Sequence, residues 1–136
     1  MTTRSFLALS LALPLVCGLV AWFLPGIADP FAASFLVGAI PYIPFAVVLA
    51  YLIKRSASMR NLVVLSLLAP CAFALWLITV YFMFSLQFAS PLAETIRESA
   101  YFATFALAFG YFYVALAWAL WAVAKRMRFV RNEFAT

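Results

Sequence analysis

Histidine is missing from this 136-residue chain, and cysteine occurs only twice, at Cys17 and Cys71, each alone in an apolar stretch. With no CxxC pair and no Cys/His ligand spacing, a zinc-type metal centre and a disulfide framework are both excluded. Charge is nearly as scarce. Four acidic and nine basic residues make up 10% of the chain while 69% is hydrophobic, whereas soluble domains carry about a quarter charged residues. Water cannot be the main solvent of such a chain. The formal charge of +5 does not point to nucleic acid, because the basic residues stand in short clusters beside apolar runs, where they act as membrane anchors.

What is present in quantity is uncharged apolar sequence, in four runs: Ser5 to Leu24, Phe31 to Ile53, Leu62 to Leu86 and Tyr101 to Ala124. Each is long enough to cross a bilayer, for which about 20 helical residues suffice. They occupy most of the chain and leave no room for a soluble domain. The sequence therefore predicts one all-α domain over residues 1–136, an integral membrane four-helix bundle. Arg4, Lys54, Arg55, Arg60, Lys125, Arg126, Arg128 and Arg131 all fall on one side of these spans, with Arg97 alone on the other beside Asp29, Glu94 and Glu98. Positive residues near span ends stay in the cytoplasm, so both termini are expected inside, in a bacterial inner membrane, with a small acidic face exported. A cleavable signal peptide ending at Ala28 is the competing reading of the first run, but that run is longer than a signal h-region of about 7–15 residues, and Pro30 suits a cleavage site poorly.

Two exported connections follow. Residues 25–30 form a tight turn in which Asp29 and Pro30 fit an N-cap and first helical position. The longer one, residues 87–100, contains Ser90-Pro91 as a second helix start. Beyond it Leu92, Ala93 and Ile96 fall on one side and Glu94, Arg97 and Glu98 on the other, which predicts a short amphipathic helix at the outer interface. Asp29, Leu92, Glu94, Ile96, Arg97 and Glu98 are the candidate partner-binding residues; as plain structure they are a cap and a solvated connector.

Within the spans, Pro14, Pro41, Pro44 and Pro70 each remove a backbone bond and free the carbonyl four residues earlier, which in lipid needs another partner. Ser10 and Ser66 stand four residues before Pro14 and Pro70, and Pro41 with Pro44 should bend the second span. In the fourth span Ala103, Ala106, Gly110, Ala117 and Ala124 form a small-residue seam for close helix packing, against the bundle or a second copy of the chain. Phe102, Phe105, Phe109, Phe112, Trp118 and Trp121 lie off that seam and are expected at lipid or in the inner aromatic belt.

No span carries a charge, and intramembrane charges are the usual mark of transport or proton chemistry. Small multidrug transporters share the four-span plan but use a carboxylate in the first helix, which this chain lacks. Quinone-linked thiol oxidoreductases need paired exported cysteines. Lipid-headgroup enzymes need clustered carboxylates, a histidine or a metal, and Glu94 and Glu98 with Arg97 between them supply only surface charge. The expectation is a non-enzymatic binding protein without cofactors, whose partners are membrane lipids and another protein.

In length, four-span layout, minimal loops and lack of catalytic residues, the chain resembles the inner-membrane immunity proteins of bacteriocin producers. It is most similar to those against colicin M-type toxins, pyocin M among them. The likeness spans the whole chain but is one of layout, its specific carriers being the exported Asp29 and the segment Pro91-Leu-Ala-Glu-Thr-Ile-Arg-Glu98. It implies that the toxin, which hydrolyses the lipid II precursor, is bound at the periplasmic face, with Glu94, Arg97 and Glu98 as charged contacts and Leu92 and Ile96 seating the helix. Immunity against a pore-forming bacteriocin, and an accessory subunit of a larger membrane complex, are the other two functions this layout fits.

Overall fold

The computed structural model describes residues 1–23, 29–87 and 91–130, without the side chains of residue 22 and of residues 29–38. The capping and contact roles expected of Asp29, and the capping role expected of Ser90, lie outside what is described. The described residues form helices and no strand: α1 Thr3–Ser10, α2 Leu13–Trp22, α3 Asp29–Arg55, α4 Met59–Gln87 and α5 Leu92–Arg126. Three segments are long and apolar enough to cross a membrane, namely Thr3–Ala21, which takes in α1 and α2, then α4, then α5. α3 is helical across residues 31–53, where a further span is expected, and its 27 residues reach about 40 Å at the α-helical rise.

The elements close into a ring: α1 and α2 pack on α3, α3 on α4, α4 most extensively on α5, and α5 back on α1. Apolar side chains cover the outside as well as the inside, with Leu9, Ile40, Val47 and Leu75 all exposed. That surface belongs in hydrocarbon, since patches of this extent are not left to water by soluble monomers. One core cluster gathers Leu7, Leu49, Ile53, Leu62 and Ala69, with Trp118 packed against it. A second gathers Ala74, Leu77 and Ala106 beside Phe73 and Phe102.

The chain ends meet. The Met1 ammonium donates to the Phe129 carbonyl at 3.2 Å, and Trp121 Nε1 donates to Thr3 Oγ1 at 3.4 Å. The turn that brings Phe129 there is a Schellman closure of α5: Phe129 N–H reaches the Ala124 carbonyl and Arg128 N–H the Lys125 carbonyl, with Arg128 itself at φ 61°. The Lys125 ammonium lies 5.0 Å from the Trp121 ring centroid, so the basic residues of this end are braced by an aromatic face.

The first span is not one continuous helix. α1 gives way to a turn at Leu11 and Ala12, where Ala12 N–H bonds the Leu9 carbonyl, and α2 starts with Pro14 in its first turn. Residues 92–100 also differ from expectation. They are helical, but they are the opening turns of α5 and not a separate element, because no backbone break divides them from the apolar run that follows.

Proline explains much of the helix-to-helix hydrogen bonding. Tyr42 Oη donates to the Leu11 carbonyl at 2.8 Å, Trp76 Nε1 to the Pro41 carbonyl at 3.0 Å, and Tyr111 Oη to the Leu67 carbonyl at 3.2 Å. Each acceptor stands three residues before a proline: Leu11 before Pro14, Pro41 before Pro44, Leu67 before Pro70. A proline bend removes the donor for the carbonyl four residues back and also opens the turn that shields the next one. In each case an aromatic side chain of the next helix along, α3, α4 or α5, caps that next carbonyl. Ser10 and Ser66, four residues before Pro14 and Pro70, bond carbonyls of their own helices, at Leu7 (2.7 Å) and Leu62 (2.8 Å).

The cost of losing such bonds is measurable, since interhelical hydrogen bonds in membranes average about 0.6 kcal/mol and reach about 1.7. Tyr42→Phe should approach the upper figure because its hydroxyl is directed into the bundle, Trp76→Phe should lie near the average, and Tyr111→Phe should destabilise less. Denaturant unfolding in detergent micelles gives the order. A Tyr42→Phe protein as stable as the parent would show that the bond does not brace the bend.

Candidate functional site

The first turns of α5 gather five of the six candidate contact residues. Pro91 precedes the helix, and its carbonyl accepts the N–H groups of Glu94 at 3.1 Å and Thr95 at 3.0 Å, so the helix is formed from its first turn. Glu94 in that turn suits the positive end of the helix dipole. Leu92 and Ile96 are exposed, as are Glu94 and Arg97. Glu98 is half-buried and accepts a hydrogen bond from the Tyr81 hydroxyl of α4. The Tyr81 ring also packs against Phe102, with centroids 5.3 Å apart, so Glu98 is held by an aromatic post rooted in the neighbouring helix.

The face of this stretch turned inward carries Thr95 and Ser99, both at or below 5% exposure. Their hydroxyls donate to carbonyls of their own helix, Pro91 at 3.2 Å and Ile96 at 3.0 Å, which lets polar side chains be buried without an outside partner. Hydrophobic patterning missed them. The spacing Thr95, Ser99, Ala103, Ala106 continues the small-residue seam toward the helix start, and reading threonine and serine as small residues would have found it.

The seam itself is used within the chain. Ala106 and Ala117 are buried, Ala103 packs against the second core cluster, Ala124 is half-buried, and Gly110 lies directly on Pro70 of α4. Between the two core clusters the packing does not close. A cavity of about 230 Å³ lies there, lined from every helix. Phe102, Phe105, Phe109 and Trp118, expected at lipid, line this cavity, whereas Phe112 is exposed.

These arrangements offer two kinds of recognition. The opening of α5 presents a cation and a carboxylate one helical turn apart beside two aliphatic side chains, on a rigid helix. The bundle interior presents an apolar enclosure. No family model matches the chain, and no curated protein or solved structure matches it significantly.

Proposed function

We propose that the chain is an immunity protein of the bacterial inner membrane, both termini cytoplasmic, which neutralises a colicin M-type bacteriocin by binding it at the periplasmic face. The observation that carries this reading is the opening of α5: nine helical residues precede the apolar run, about 13 Å at the α-helical rise, and they hold Glu94 and Arg97 exposed with Glu98 anchored to Tyr81. A preformed helix binds without paying to order a loop, which favours a stoichiometric antagonist. The orientation draws support from the meeting of Met1 with Phe129 beside Lys125, Arg126 and Arg128, a basic end of the kind retained in the cytoplasm.

The test is direct. Cells sensitive to M-type and to pore-forming bacteriocins, expressing the chain in their inner membrane, should survive the M-type toxin and remain sensitive to the pore formers. Killing by the M-type toxin at the same dose as in cells without the chain would overturn the proposal. Protection against pore formers alone would replace it with recognition of toxin helices inside the bilayer.

A further inference from the structure

We infer that the central cavity is a binding site for a hydrocarbon chain of a membrane lipid, acyl or isoprenoid. Its walls are rings and aliphatic groups, chiefly Phe45, Phe73, Phe102, Phe105, Phe109 and Trp118. Of the five hydroxyls that border it, those of Ser10, Ser66 and Tyr42 donate to carbonyls of the chain, at 2.7, 2.8 and 2.8 Å, and the other two belong to Tyr101 and Tyr113. A buried water needs two to four polar partners, and an apolar cavity of about 150 Å³ stays dry and takes up benzene. This one is larger, at about 230 Å³.

Local collapse does not remove it, because the features that hold it open are covalent or tightly packed. Pro14 and Pro70 line it, Pro70 abuts Gly110, and Tyr42 ties α3 to the break after α1. The cavity is only partly enclosed. Around it the outer helix surfaces are apolar, with Val16, Leu67 and Phe112 exposed, so the medium at its mouth is hydrocarbon and supplies the ligand. This inference does not depend on the immunity reading.

Photolabelling of the full-length chain in nanodiscs tests it, with a diazirine on the acyl chain of phosphatidylglycerol in one arm and on undecaprenyl phosphate in the other. Ala106 and Tyr113 line the cavity and are buried, so label on them can come only from inside. The expected result is label on Ala106 and Tyr113 that unlabelled lipid of the same kind competes away, and the arm giving it names the source of the chain. Ala117→Leu, which fills the cavity from the α5 side, should lose most of that label while label on exposed Leu67 persists. Should that variant fail to fold, the labelling of the parent protein decides alone. Label confined to Leu67, Phe112 and other exposed residues in both arms would overturn the inference.

Discussion

Gly110→Leu should leave the chain unable to form a stable bundle, while Ala108→Leu on the exposed side of the same helix should be close to neutral. A Cβ added at Gly110 would stand 2.8 Å from Cβ of Pro70, 3.3 Å from its Cγ and 3.4 Å from its Cα. The obstacle is a proline ring fixed to its backbone, so no rotamer change relieves the contact, and α4 and α5 must move apart. Theirs is the most extensive helix interface among the described residues. The magnitudes decide between Ala and Leu. Gly to Ala in a helix gains about 1 kcal/mol of propensity, which offsets much of an overpacking penalty of about 1–3 kcal/mol. Gly110→Ala should therefore already destabilise the bundle, by up to about 2 kcal/mol, because its Cβ alone meets the Pro70 ring. Leucine brings a similar gain but three more carbons into the same contact, and the balance becomes strongly unfavourable. Thermal unfolding in detergent, with size-exclusion chromatography to detect loss of the folded species, reads both. A Gly110→Leu protein that unfolds at the parent temperature would mean that α4 and α5 do not approach at Pro70.

Helix positions in this protein follow from the distribution of charge. α4 begins only three residues before the uncharged run that starts at Leu62, with Arg60 among them, because arginine marks where hydrocarbon ends and a backbone in lipid has to satisfy its own hydrogen bonds. The inward faces were far less legible. In water, hydrophobicity separates inside from outside; in a bilayer both are apolar, and Phe105 and Phe109 at the cavity carry the same signal as exposed Phe112. The break at Leu11 had Pro14 as its only local sign, and the donors that cap the bends come from other helices, so no window of sequence around a proline contains them. Residues 92–100 look like a separate helix because the charge pattern changes at Tyr101, whereas backbone hydrogen bonding is indifferent to that change.

Exchanging the charges at Glu94 and Arg97, as Glu94→Lys with Arg97→Glu, should abolish protection against the M-type toxin without lowering the amount of protein in the membrane. The exchange keeps the net charge and alters only exposed side chains. Its cost to the free protein is small: a cation in the first turn of α5 opposes the helix dipole by about 0.3–1 kcal/mol. Its cost to a complex is much larger. Breaking a desolvated, hydrogen-bonded charge pair across an interface removes about 2–5 kcal/mol, and like charges brought face to face add to that. At about 1.4 kcal/mol per factor of ten, this is enough to move a tight antagonist out of its working range. Glu98 is left untouched because its bond from Tyr81 makes it part of the support for α5, and a change there would confuse loss of recognition with loss of structure. Survival over a range of toxin doses, with membrane levels checked by immunoblot, gives the answer. Undiminished survival of the exchanged variant at every dose would remove the opening of α5 as the contact and move the search to residues 25–30, the other connection proposed to face outward.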